Sequence, residues 1–353
     1  MKLIDRYIFF RVLGAMLGVL LAITSIDLIG GFVDQIDNLE DRFTLMEALF
    51  YSVLKIPGGL KDYLGFSALI GAMIGLGSFS NSGELTVIRA AGYSMARIGW
   101  MVMKPAFLLI IFGALIAEFV APNLEQMADS RKDLLRGSLS TNLEESGLWI
   151  YDKGTYVHMD AVYPGGLVYG QTQYTLSEDG DALEVQFSEQ VRYGESGWDQ
   201  SAGVWSQVSE NRVEPGEYTY KSWPTELTPE LLDASVLDAD QMSVRALNEY
   251  TDYLGNNTKQ SREYQVQFWT KLLQPLSVLA LVFVGISFVA GSARQVAVGE
   301  RIFFGVIVGV CFKVAQDILG PAASVWGFSP LIAVLVPTAL IMLLGAVLLR
   351  FRV

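Results

Sequence analysis

The run Leu272–Ala290 reads LLQPLSVLALVFVGISFVA and carries no charged residue. A helix needs about 20 apolar residues to cross the hydrocarbon of a bilayer, and this run meets that requirement. Working outward, five further stretches qualify or nearly so. Val12–Val33 is broken only by Thr24, Ser25 and Asp27, and Leu64–Phe79 extends backwards through Ile56–Leu60. Ile98–Val120 has Lys104 near its start and Glu118 near its end. Ile302–Leu319 carries Lys313 and Asp317, and Leu331–Leu349 is again uncharged. Of the 353 residues, 52% are hydrophobic and 18% charged. Soluble domains carry about a quarter charged residues, so a membrane protein is expected.

The charge is concentrated between the third and fourth spans. Pro122–Gln267 holds 25 acidic and 10 basic residues, whereas the whole chain has a net charge of −12. An acidic module is therefore set into a faintly basic apolar frame. Nucleic-acid binding is excluded as a function class, because phosphate contacts require clustered Lys and Arg. Orientation follows from the basic residues in short loops. Lys2, Arg6, Arg11, Arg89, Arg97, Arg294, Arg301, Arg350 and Arg352 fall on the side of the N-terminus. The opposite loop, Asp34–Tyr63, has only Arg42, Lys55 and Lys61 against six acids, and the Gly320–Pro330 turn has no charge. This bias places both termini in the cytosol and the acidic domain outside. No small-residue cleavage motif follows the first apolar core, so that span is read as retained.

From about Leu148 to Trp223 apolar and polar residues alternate, as in Thr155–Tyr156–Val157–His158–Met159 and Glu184–Val185–Gln186–Phe187. Turn-forming groups such as Glu178–Asp179–Gly180–Asp181 separate these stretches, the pattern of half-buried strands in a sandwich or jelly roll. A helix near Ser243–Leu254 returns the chain to the membrane. The expected architecture is α+β: residues 1–121 with three transmembrane helices, a β-jellyroll domain over 122–267, and three more helices over 268–353.

Little catalytic chemistry is available. The chain has one cysteine, Cys311, and one histidine, His158, so neither an intrachain disulfide nor a Cys/His metal cluster can form. His158 lies in a strand-like stretch and reads as an ordinary domain residue. No G-x-x-x-x-G-K-[ST] loop occurs, so any ATP chemistry would belong to a partner. Charges inside spans cost about 3 kcal/mol at the bilayer centre and mark Asp27, Lys313 and Asp317 for attention. Lys313 and Asp317 are four apart and can neutralise each other. Gly14–Gly18, Gly71–Gly75 and Gly305–Gly309 are small-xxx-small pairs that let helices approach closely.

The most informative short segment joins spans two and three, running Ser80–Asn81–Ser82–Gly83–Glu84–Leu85–Thr86–Val87–Ile88–Arg89–Ala90–Ala91–Gly92. Asn81 with Glu84 resembles a capping box, and Gly92 supplies a left-handed stop. A helix of about ten residues, over 82–91, is expected on the cytosolic side. Leu85 and Ile88 share one face. Such a helix can dock into a partner's groove or rest on lipid, and spacing alone does not choose.

Short stretches along the chain carry a family resemblance. They include Asp5–Arg6–Tyr7, Phe32–Val33–Asp34–Gln35, Gly83–Glu84–Leu85 to Gly92, Val120–Ala121–Pro122 and Gly147–Leu148–Trp149. Leu227–Thr228–Pro229–Glu230, Trp269–Thr270–Lys271 through Ser277, and Gly320–Pro321 continue the series. In this order and spacing the sequence resembles the LptF/LptG permeases of the lipopolysaccharide export system of Gram-negative bacteria, the LptG side of the family more than the LptF side. The resemblance implies an inner-membrane subunit paired with an LptF-like permease. It implies an LptB-like cytosolic ATPase dimer that binds ATP and Mg, an LptC-like single-span jellyroll protein, and lipopolysaccharide as substrate. No cofactor is expected in this chain itself. By the same analogy Gly83, Glu84, Leu85, Ile88, Arg89 and Gly92 form the coupling helix seated in the ATPase.

Family members often carry lysines at the outer end of span one, where this chain has Gly31, Asp37 and Asn38. Arg301, Lys313, Lys61 or Lys55 is then expected to contact lipid phosphates, or a divalent cation to bridge phosphate to Asp34 and Asp37. Phe66 completes the expected substrate path. Two other classes are weighed. An ion-coupled secondary lipid transporter would use Asp27, Lys313 and Asp317, but such proteins usually show inverted repeats and broken helices. A membrane-anchored enzyme or sensor has little chemistry to draw on.

Overall fold

A computed structural model describes residues 3–37, 39, 43–136, 148–152, 154–163, 166–176, 182–194, 197–209, 212–225, 227–229, 232, 239–254, 259–290 and 297–352. Lys2, Asn38, Arg42, Gly147, the Glu178–Asp181 turn, Glu230 and Arg294, all used in the sequence reading, lie outside the described residues.

Among the described residues, six helices are long and apolar enough to span a membrane. They are α1 (Leu3–Ile36), α2 (Leu45–Asn81), α4 (Met95–Leu115), α7 (Lys259–Ala290), α8 (Val298–Trp326) and α9 (Pro330–Arg352). A short α3 (Glu84–Ala90) joins α2 to α4. A π-helical turn at Ile116–Val120 carries α4 into α5 (Ala121–Arg136), and α6 (Val244–Leu254) precedes α7. The helices run past their apolar cores. The outer turn expected at Gly320–Pro330 is mostly helix, since α8 continues to Trp326 and stops where Gly327 takes φ +73°. Pro321 sits inside α8 without breaking it.

Two helices form the centre of the bundle. Of the most apolar windows, 67% of the α2 residues and 56% of the α7 residues are buried, against 17% for α1 and α8. Ile8, Val12, Met16, Leu20 and Thr24 recur every fourth residue and make the buried stripe of α1. The stripe lies directly on α2. A β-carbon on Gly71 would fall 2.4 Å from the Met16 Cα, and one on Gly75 would fall 2.9 Å from the Val12 Cα. Gly305 similarly admits Ile70, and Gly309 admits the Phe66 ring. Gly14 and Gly18, the third pair of this kind, meet nothing within 4 Å in this chain. Their small-residue spacing belongs to an outward face.

The chain divides into two compact units. One comprises 1–39, 44–128 and 239–353; the other comprises 40–43 and 129–238. The expected boundaries at 122 and 267 fall where apolarity ends. The compact boundaries lie inside them, because the first part of α5 and all of α6 pack with the bundle.

In the second unit the strands are β1 (Leu148–Asp152), β2 (Thr155–Tyr163), β3 (Leu167–Leu176), β4 (Ala182–Gly194), β5 (Gly197–Ser209) and β6 (Arg212–Trp223). They form one antiparallel sheet in sequential order, inserted between the third and fourth spans. Its core includes Val157, Met159, Val168 and Val191. Trp198 is 1% exposed, and its indole N–H donates to the Leu227 carbonyl at 2.6 Å. Buried amides cross the sheet in a ladder: Gln186 Nε2 donates to Gln200 Oε1, and Gln200 Nε2 to Gln171 Oε1, each at 2.6 Å. His158 packs its ring 4.7 Å from that of Trp149, its cross-strand partner.

Candidate functional site

Two features of the helical unit carry side chains suited to function. The first is the turn between α2 and α4. Ser82 belongs to the end of α2, since its N–H bonds the Ser78 carbonyl at 3.0 Å. Gly83 then takes φ +76° and is itself the N-cap of α3. This residue ends the α2 direction, so α3 has seven residues instead of the ten expected. Asn81 is not the cap. The Glu84 carboxylate accepts a hydrogen bond of 2.9 Å from the Ser82 hydroxyl. At the far end Gly92 takes φ +91°, its N–H reaching the Arg89 carbonyl at 3.0 Å and the Tyr93 N–H the Ile88 carbonyl at 3.3 Å. This is the paired closure of a glycine-stopped helix.

The apolar face of α3 points inward. Leu85 and Ile88 are 9% and 8% exposed and join the main core cluster. They anchor α3 to the bundle and are not free to enter a partner's groove. Thr86, Val87, Arg89 and Ala90 form its exposed side, with Val87 69% exposed.

The second feature is a cleft of about 610 Å³ between α2, α7 and α8. Its apolar wall includes Phe66, Val278, Leu281 and Phe312, and its polar lining includes Lys61, Asp62, Lys271, Lys313 and Asp317. Of the expected substrate-path residues, Lys61, Phe66 and Lys313 come together here. Lys313 is paired with Asp317 at 3.1 Å along α8, the neutralisation that their spacing allows. Asp34 and Lys55 are not among the lining residues; Asp34 is exposed in the last turn of α1, and the Lys55 ammonium lies 5.5 Å from the Tyr51 ring centroid. Arg301 is also elsewhere, in the first turn of α8 and 1% exposed. Twelve residues separate it from Lys313, about 18 Å at ~1.5 Å per residue.

Sequence reasoning named Lys61 and Glu118 but not their part in holding the segment before α6 in place. Lys61 Nζ donates to the Asp240 carbonyl at 2.5 Å, and Lys271 Nζ donates to the Met242 carbonyl. Glu118 accepts from the Val244 N–H at 2.8 Å and the Arg245 N–H at 3.3 Å. A carboxylate at a helix N-terminus meets both the free N–H groups and the positive end of the dipole. Glu118 thus caps α6 from another span. Lys104, also read as a span-end charge, lies 3.6 Å from Asp5 of α1. The only signal available was charge within or beside apolar runs.

Six spans, a β domain inserted after the third, and a capped helix between the second and third define a multi-pass membrane protein built as three helices, a domain and three helices. The profile of the family described as lipopolysaccharide export system permease LptF/LptG matches residues 6–350. The lipopolysaccharide export system permease protein LptG of Escherichia coli strain K12 is 30% identical over 347 residues, covering 95% of this chain and 94% of that protein. The protein of that name from Haemophilus influenzae is 29% identical over 344 residues, covering 96% and 95%. The chain belongs to the LptF/LptG permease family.

Proposed function

We propose that this chain is one permease subunit of an ATP-driven exporter that withdraws lipopolysaccharide, or a lipooligosaccharide, from the outer leaflet of the inner membrane. Hydrolysis is the work of an LptB-like ATPase dimer holding ATP and Mg. An LptF-like permease completes the lipid cavity, and an LptC-like protein and the inserted domain pass the lipid on to a periplasmic jellyroll bridge. Both termini and α3 lie in the cytosol, and the inserted domain lies in the periplasm.

The observation that carries this reading is α3. It is stopped by a glycine at each end and bolted to the bundle core by Leu85 and Ile88, yet turns Val87 and Arg89 outward. A short rigid helix held this way passes a push to the spans on both sides and does not yield by unwinding. The cleft supplies apolar walls and a polar lining, the combination an amphipathic lipid requires. Lys61, Phe66 and Lys313 are its substrate-facing candidates. Withdrawing acyl chains from a bilayer costs ~0.8 kcal/mol per methylene, so thermal motion is insufficient and an ATPase is needed.

The test is co-purification. The wild-type chain retains a stoichiometric cytosolic ATPase, and Glu84→Ala or Arg89→Glu loses it while the chain remains folded. ATP hydrolysis by the purified chain alone would overturn the reading. The Lys313–Asp317 pair in the cleft favours a second reading, an ion-coupled secondary lipid transporter. Uncoupler-sensitive transport with no bound ATPase would establish that alternative.

A further inference from the structure

Arg301 is among the largest fully buried side chains of the protein. A cation shut away from water is costly unless a counter-charge answers it. Among the described residues no carboxylate forms a salt bridge with it, and the neighbouring Glu300 lends it a favourable charge without direct contact. Its Nη2 donates to Asn81 Oδ1 at 2.9 Å, while Nε and Nη1 have no acceptor. The guanidinium lies on bare backbone, for a β-carbon on Gly77 would stand 1.9 Å from Nη1 and 2.6 Å from Cζ. Gly77 and Asn81 are four apart on α2, so together they make one notch on one face of that helix.

The position of the notch gives it meaning. Asn81 is the last residue of α2, and only Ser82 and Gly83 separate it from α3. Arg301 lies in the first turn of α8, the helix whose later turns place Phe312, Lys313 and Asp317 in the cleft. A cation is unfavourable at a helix N-terminus and favourable at a C-terminus, so the end of α2, not α8 itself, stabilises this charge. The last carbonyls of α2 are themselves engaged, Ser78 by the Ser82 N–H, Phe79 by the Ser82 hydroxyl and Ser80 by the Gly83 N–H, so Asn81 is the acceptor on which the guanidinium depends.

We infer that Arg301 is a positioning residue: seated in the Gly77–Asn81 notch, it ties α8 to the start of the α3 turn, so that a displacement of α3 also shifts the cleft wall carried by α8. The inference rests on the reading that α3 receives the push of a partner ATPase.

The experiment uses the assembled exporter in nanodiscs. Spin labels are placed on the native Cys311 of α8, which is exposed, and on Ala91→Cys beside α3. In the wild type this distance stays narrow and unchanged between nucleotide-free and vanadate-trapped states, because α3 and α8 travel together. In Arg301→Gln and Asn81→Ala it splits or shifts on trapping. Lipopolysaccharide moved per ATP falls at least fivefold while the ATPase is retained, and Asn81→Asp keeps the wild-type pattern. Asn81→Ala alters an exposed helix end, so it stands if Arg301→Gln fails to fold. Identical distances and transport per ATP within twofold in both variants would overturn the inference alone. Failure of the wild type to hold an ATPase would overturn the α3 reading and this inference with it.

Discussion

The Tyr63 hydroxyl donates a hydrogen bond of 2.6 Å to Asp27 Oδ1, joining the middle of α2 to the C-terminal half of α1. Asp27 is one of the intramembrane charges that sequence reading could only mark as unexplained. The structure gives it a partner, and a β-carbon on Gly59 would lie 3.2 Å from its other oxygen. Tyr63→Phe removes the donor and leaves the carboxylate less well satisfied. Interhelical hydrogen bonds in membranes are worth about 0.6 to 2 kcal/mol. The thermal unfolding midpoint in detergent should fall, and Asp27→Leu combined with Tyr63→Phe should recover part of the loss. An unchanged midpoint in Tyr63→Phe would show the bond to be idle.

Gly71 and Gly14 belong to similar sequence pairs but should respond oppositely. At Gly71 a β-carbon meets the α1 backbone, so Gly71→Ala must separate two packed helices. Overpacking of this kind costs about 1 to 3 kcal/mol. At Gly14 the space is open, and Ala gains up to about 1 kcal/mol of helix propensity. Midpoints of the two variants of the isolated chain should therefore move in opposite directions.

Lys271→Met keeps the apolar stem but removes the ammonium that donates to the Met242 carbonyl. Glu118→Leu removes the acceptor of the Val244 and Arg245 N–H groups. Hydrogen exchange in residues 240–246 should accelerate several-fold in each variant, with α2 and the core of α7 unaffected. A variant with unaltered exchange in this segment would show that the side chain does not hold it.

Gly92 takes φ +91°, where a residue with a β-carbon is strained by about 1 to 2 kcal/mol. Gly92→Ala should loosen the end of α3 and weaken retention of the ATPase, whereas Gly92→Asn, which tolerates this region better, should do so less. Equal retention by wild type, Ala and Asn would mean that the stop contributes nothing to docking.

The spans were legible because apolarity is local. Every residue facing hydrocarbon must be apolar, whatever its neighbours, so the six runs from Val12–Val33 to Leu331–Leu349 announce themselves. Gly92 as a stop was legible for a similar reason, since a left-handed residue favours glycine in any context. The direction of α3's apolar face was not. Leu85 and Ile88 share a face by period alone, but only the packing shows that this face is turned into the bundle. Asn81 had the residue type and spacing of a cap, yet α2 runs on through it and Arg301 takes its side chain, more than two hundred residues away in sequence. Arg301 itself was expected on the substrate path as a phosphate contact, and only the packing shows it buried against Gly77 and bonded to Asn81.

From the sequence alone came the number of spans, the acidic strand-rich insert between the third and fourth, the lack of a nucleotide loop and the presence of a capped connection between spans two and three. These depend on each residue's own preference for water or hydrocarbon and on backbone conformations that single residues favour. The tertiary structure decided which glycines are contact points, which charges line the cleft with Phe66 and Lys313, and which side of α3 is left exposed. Those outcomes depend on which distant segment arrives opposite a given face, and one chain's pattern of apolar and polar residues is the same whichever neighbour comes.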